Sequence, residues 1–254
     1  MLTNYDILPT DKLPGLHMIG TVTRRFLISY PVKPELLNPF LPPGAEISTQ
    51  FGYAWVSACF VNIKQMRPSI VPNGLGMEFN YLIHRTRAKL PYPDQKKRES
   101  VLVLEPNINR KFFSRVGLVT PGIQFIAQKI LLTETQNFWS IVMKNEIGET
   151  LYEAEILKAS IDHKLPTSSR FPNLAFTDEF LLGVSHGGIW QKNESRLRLL
   201  AETHEPWKTF AGTCKTKKNA FLTSLSGQLI EADHVITMTE IPHYFALHGM
   251  DVKC

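Results

Sequence analysis

Long apolar runs are missing from this chain. No stretch approaches the ~20 residues needed to cross a bilayer, and no basic N-terminal stretch leads into an apolar core with a small-residue cleavage site. A membrane partner is therefore not expected, and the cytoplasm is the expected compartment. Cysteine is scarce. Cys59, Cys214 and Cys254 are odd in number, without CxxC spacing or a histidine at zinc-ligand distance, which argues against a disulfide framework and for a reducing environment. The high-information catalytic signatures are absent too: there is no Gly-rich phosphate loop, no GxSxG elbow and no HExxH. The eight histidines never fall at i, i+4 on a convincing helix, and His243 and His248 read as surface or hydrogen-bonded groups. No metal and no cofactor are expected.

What is present is an ordinary globular composition. Hydrophobic residues make up 43% and charged residues 20% of 254 residues, enough to build one sizeable core, and β-rich chains of this length often form a single domain. The formal net charge of +5 is dispersed over Arg24-Arg25, Lys96-Lys97-Arg98, Arg196/Arg198 and Lys215/Lys217/Lys218. Scattered pairs of this kind read as solvated surface, so nucleic acid is not an expected partner.

Residues 1–20 read as an N-terminal arm. A strand is predicted over 21–32, then a short helix begun by Pro34 and Glu35, where a missing N–H costs nothing and negative charge meets the helix dipole. Strands follow at 46–51 and 53–64; the second carries so continuous an apolar run that it must be covered on both faces. Residues 77–90 alternate Met77, Phe79, Tyr81 and Ile83 with Glu78, Asn80, His84 and Thr86, the pattern of a strand with one polar face. Another buried strand is predicted over 100–105, then a helical stretch containing Phe112, Phe113 and Val116 and broken at Thr120-Pro121-Gly122. Strands over 130–135, 138–145 and 150–158 form a meander around the turn signal Asn145-Glu146-Ile147-Gly148. A polar loop covers 162–175, a short helix begins at Thr177 and ends at Gly187-Gly188, and three strands near 196–203, 207–214 and 233–240 complete the chain.

The order of these segments, with the residues they carry, resembles the acetoacetate decarboxylase superfamily. Arg24-Arg25-Phe26-Leu27-Ile28-Ser29-Tyr30, a proline-led helix ending at Phe40-Leu41-Pro42-Pro43-Gly44, and Gly76-Met77-Glu78-Phe79-Asn80-Tyr81 resemble its opening. Further matches resemble its uncharacterised YqjF-like branch, the domain of unknown function 2071. They are Phe51-Gly52-Tyr53-Ala54-Trp55-Val56, Met66-Arg67-Pro68, Phe112-Phe113-Ser114-Arg115 and His204-Glu205-Pro206-Trp207. The resemblance implies a mainly β fold with short helices, a closed or nearly closed antiparallel β barrel around a small-molecule pocket. It also leaves room for a homo-oligomer, since the decarboxylases assemble into larger species.

Fold does not carry reaction. The decarboxylases use a lysine whose depressed pKa leaves a neutral amine to condense with a ketone. Aligned from Glu78, their Pro-Lys-Lys falls on Ala127-Gln128-Lys129, so the Schiff-base position holds Gln128, whose amide cannot form an imine. Lys129 stands at the second lysine. The carboxylate-binding arginine falls on Thr23, one residue from Arg24, which a strand bulge would be needed to turn inward. The expected pocket residues are therefore Lys129 and Glu78 for any catalysis, with Asn80, Arg24, Arg115, Gln128 and His204 as ligand contacts. Three readings follow: a binder of a small, partly apolar, anionic metabolite; a Schiff-base lyase or hydrolase using Lys129; or a structural protein whose barrel is filled by its own side chains.

Overall fold

A computed structural model of the protein describes residues 17–111, 124–184, 186–204, 208–238 and 241–253. It is built on β1 (His17–Val32) and β4 (Tyr53–Pro68), long antiparallel neighbours paired from Met18–Pro68 to Val32–Ala54. Alternation sends Phe26, Ile28 and Tyr30 of β1 to one face of the sheet and Arg25, Leu27 and Ser29 to the other, and all six are buried. The apolar run in β4 is buried on both faces, as its composition demands.

Around this pair lies a twelve-stranded sheet ordered β13-β15-β1-β16-β12-β11-β6-β5-β4-β3. Its members beyond β1 and β4 are β3 (Thr49–Gln50), β5 (Met77–Pro91), β6 (Lys97–Ile108), β11 (His186–Gln191), β12 (Arg196–His204), β13 (Thr209–Gly212), β15 (His234–Met238) and β16 (Ile241–Lys253). Off this path, β2 (Glu46–Ile47) pairs with β5 and β7 (Ile126–Ala127) with β6. The fold is mainly β, as expected, but a closed antiparallel barrel is not what is found: β11 and β7 both run parallel to β6. Strand β1 uses one edge for β16 and then β15, and the other for β4.

A second sheet, ordered β14-β10-β9-β8, consists of β8 (Lys129–Glu134), β9 (Phe138–Lys144), β10 (Thr150–Leu157) and β14 (Cys214–Asn219). The expected meander is its β8–β10 part. It packs on the Phe26/Tyr30 face of the large sheet, and Ile130, Ile141, Tyr152 and Ile156 share one core with Phe26, Phe60 and Leu82. Its β14 edge is guarded by charge: Lys217 pairs with Glu153 and Glu155.

The opposite face of the large sheet is covered by the 162–173 loop and α1 (Leu174–Leu182). Asn173 caps this helix by accepting the Phe176 N–H, so that it begins at Leu174, three residues before the predicted start. The helix ends at Gly183 rather than at Gly187-Gly188. Those two glycines lie inside β11, where a Cβ on Gly188 would come within 2.7 Å of Leu90 Cδ1 and 3.1 Å of Leu197 Cδ1. The small size of Gly188 serves close packing, not helix termination.

One helix was not anticipated. Helix α2 (Ala220–Ser226) opens at Asn219, whose buried side chain accepts the Leu222 N–H at 3.1 Å, and closes at Gly227 in the left-handed region at φ 75°. Asn219→Ala is expected to cost about 1 kcal/mol, read as a lowered urea midpoint at constant slope. An unchanged midpoint would mean that the cap does not hold α2.

Candidate functional site

The polar residues that matter lie where β1, β4, β5 and the start of β8 converge. Strand β4 is apolar from Ala54 to Ile63 except for Ser57 and Asn62, and Asn62 sits directly opposite Asn80 of β5. The Thr23 hydroxyl donates to Asn62 Oδ1. Asn62 Nδ2 then donates to Asn80 Oδ1 at 2.7 Å and to Glu78 Oε1 at 3.3 Å. Asn80 Nδ2 donates onward to the Ile130 carbonyl at 3.3 Å. A directed chain of neutral donors and acceptors thus runs across three strands of the large sheet into the second sheet.

Its backbone is pinned from the other side. Asn109 Oδ1 accepts the Asn80 N–H at 2.9 Å, and the Gln128 N–H donates to the Ile108 carbonyl at 2.9 Å. The Gln128 side chain brings an amide to the same end of the sheet, where its Oε1 is buried and accepts no hydrogen bond among the described residues. A buried acceptor left without a donor costs about 1–3 kcal/mol.

Of the expected residues, the structure brings together Glu78, Asn80 and the Gln128–Ile130 segment. Glu78 is exposed, its carboxylate joins this hydrogen-bond chain through Asn62 and its carbonyl accepts from Arg110 Nε at 3.0 Å; Lys129 is exposed on β8. Arg24 points to the second sheet, its guanidinium 4.8 Å from the Trp139 ring centroid and 5.9 Å from that of Phe26. A bulge does exist, between Val22 and Arg24 in the β1–β4 ladder, but it leaves Arg25 as the arginine of β1 that is buried on the opposite face. His204 lies in β12 opposite His243, with its side chain outside the described part, and Arg115 lies outside the described residues. Asn62 was missed. A lone amide within an apolar run was the available signal.

A second polar grouping lies on the α1 side. His234, Ser29, Ser57 and Arg85 stand directly opposite one another on β15, β1, β4 and β5, a buried row across four strands. Ser29 and Ser57 place their hydroxyls 3.3 Å apart, and Arg85 Nη2 donates to the Leu181 carbonyl at the end of α1. His234 Nδ1 lies 2.8 Å from Asp233 Oδ1, and Asp233 also accepts from Ser169 Oγ and from the Arg170 N–H. Burial pushes the Asp233 carboxyl up, but these hydrogen bonds outweigh it and hold the group below its ordinary value. This row anchors α1 and the 162–173 loop to the sheet. Among the described residues no cluster of three or more His, Cys, Asp or Glu side chains is placed to hold a metal ion.

A family model for an uncharacterized conserved protein, the domain of unknown function 2071, matches residues 21–242. The chain belongs to this family. No curated protein sequence matches this family member. Among solved structures it is similar to the acetoacetate decarboxylase of Legionella pneumophila, at 16% identity and a TM-score of 0.63, covering 99% of this chain and 92% of that one. It is also similar to the enduracididine biosynthesis enzyme MppR complexed with pyruvate, at 14% identity and a TM-score of 0.63, covering 98% and 96%. An acetoacetate decarboxylase-like enzyme from Sphingomonas wittichii gives 10% identity and a TM-score of 0.62, covering 94% and 93%. The family member thus has the acetoacetate decarboxylase-like fold. Among its described residues no helix is long and apolar enough to cross a membrane.

Proposed function

We propose that this domain binds a small, partly apolar metabolite at the Thr23–Asn62–Asn80–Gln128 end of the large sheet, by hydrogen bonding rather than by forming an imine. The wall of the pocket in this reading is the β1–β4–β5 part of the sheet. The path from β1 through β16, β12, β11, β6 and β5 to β4 returns to β1 at the β1–β4 ladder, which would make the enclosure nearly closed. One observation carries the reading: the positions that resemblance assigns to a cationic arginine and a nucleophilic lysine hold Thr23 and Gln128, and Thr23 lies in a neutral amide chain beside Asn80. Amides and hydroxyls do not change protonation between acid and alkaline extremes, so they orient a ligand without taking or giving its protons. In this reading the exposed Lys129 would supply positive charge for an anionic group on the ligand, whereas Arg24 stacks on Trp139 instead. Free Cys59 and Cys214 accord with a cytoplasmic location.

The test is borohydride reduction in the presence of pyruvate or acetoacetate, followed by mass spectrometry. The intact protein is expected to carry no reduced adduct, and Lys129→Ala is expected to behave identically. A stable adduct on Lys129 would overturn the binding reading in favour of a Schiff-base lyase.

A further inference from the structure

At the other end of β1, about 30 Å along the strand from Thr23 at ~3.3 Å per residue, the surface opens into a cleft of about 620 Å³. Its floor is made by Pro31 and Val32, where β1 ends, and by Ala232 and Asp233, just before β15. The walls come from three separate segments: the start of the 3₁₀ helix Pro34–Phe40, the 168–170 turn, and the irregular stretch between α2 and β15. The volume lies within the range of small-molecule sites.

The chemistry of the lining is amphipathic. Leu36 and Ile230 are partly buried, and Leu229 is 38% exposed, so an apolar wall is left facing water. Two cations border it. Lys33 is exposed and makes no ion pair among the described residues. Arg170 is pre-positioned rather than free to wave. Its backbone N–H is bound to Asp233 Oδ2 at 3.0 Å, its Nη1 lies 3.5 Å from the same oxygen, and its guanidinium stands 5.2 Å from the Tyr53 ring centroid. Its side chain is nevertheless 46% exposed, so donors remain for a ligand. Asp233 adds little negative charge to the cleft, because its carboxylate is wholly buried and shared among His234, Ser169 and Arg170. Glu231, exposed at the rim, is the opposing acid.

We propose that this cleft is a second ligand site, specific for a small acyl or aryl anion. Its charged head would lie between Lys33 and Arg170, and its apolar body against Leu36, Leu229 and Ile230. The site is independent of the amide chain, with which it shares no residue.

The experiment uses the full chain and 1-anilinonaphthalene-8-sulfonate, an aromatic anion whose fluorescence rises on binding, with octanoate and octanol as competitors. One saturable site is expected, displaced by octanoate and not by octanol. Arg170→Gln should weaken binding about tenfold, the equivalent of one charge-assisted contact, and Lys33→Gln about threefold. Glu231→Gln should tighten it about twofold. Lys33 and Glu231 are exposed, so their variants fold even if Arg170→Gln disturbs the Asp233 contacts. Unchanged affinity in both Lys33→Gln and Glu231→Gln, or equal competition by octanol and octanoate, overturns the proposal.

Discussion

Asp233→Ala is expected to lower the folding free energy by about 3–5 kcal/mol, the usual result of removing one partner from a buried charge network. The carboxylate is fully buried at the side chain and holds three groups from two elements: His234 on β15, and Ser169 and the Arg170 N–H in the covering loop. Alanine leaves those donors without an acceptor inside the protein. A pH signature accompanies the loss. The folded carboxyl is held below its ordinary value of 3.8, so it binds a proton at lower pH than the unfolded carboxyl does. Its stabilisation is complete above that ordinary value and disappears as pH falls through the folded one. Glu105 acts with the same sign. Burial pushes its carboxyl up, yet hydrogen bonds from His84 and Asn107 hold it below its ordinary 4.5. Urea melts between pH 7 and pH 3 should show wild-type stability falling at the acid end, with a shallower fall in Asp233→Asn. Parallel curves for the two proteins would show that Asp233 is not the titrating group.

Phe171→Ala is the second large effect, also about 3–5 kcal/mol. Phe171 is 4% exposed and is the hub of an aromatic cluster. Its ring centroid lies 4.4 Å from Trp55, 5.4 Å from His234, 5.6 Å from Phe51, 6.0 Å from Phe180 and 6.2 Å from Phe176. Through it the 162–173 loop and α1 are fastened to the α1-side face of the sheet. At roughly 2–4 °C of melting midpoint per kcal/mol in a chain of this size, the shift is easily measured by calorimetry. A loss below about 1 kcal/mol would mean that the loop does not bury this ring in solution.

Much of the fold was legible because period and burial are local properties. The strand at 77–90, the near-continuous apolar run in β4 and the turn at Asn145–Gly148 each appear where composition put them, within a few residues, but the polar face expected of 77–90 is buried at His84 and Thr86. The strands β11 and β16 were not read. Gly187 and Gly188 resemble a helix stop until Leu90 and Leu197 are seen to need the room at Gly188, and Leu90 is distant in sequence. Helix α2 had a cap signal at Asn219 and a stop at Gly227, but its seven residues are too few to show a helical period.

The candidate site divides along the same line. Counting along the chain is what sets Gln128 and Thr23, in the resemblance to the decarboxylases, at the positions expected of a lysine and an arginine. Residue identity is a one-dimensional fact. Which arginine is buried was not, because the bulge between Val22 and Arg24 changes strand parity, and one residue of slip moves a side chain to the other face. The sequence by itself determined a β-rich chain and the order of its segments, and its resemblance to the decarboxylases set the neutral amide of Gln128 as the expected counterpart of an imine-forming amine. Only the tertiary structure decided that Asn62 links Thr23 to Asn80, and that Arg24 lies on Trp139 while Arg25 is buried on the other face. Those contacts join residues 39 and 18 positions apart for Asn62, and 115 apart (139 − 24) for Arg24. Pairing at such separations is set by strand register and sheet packing, which no local pattern encodes.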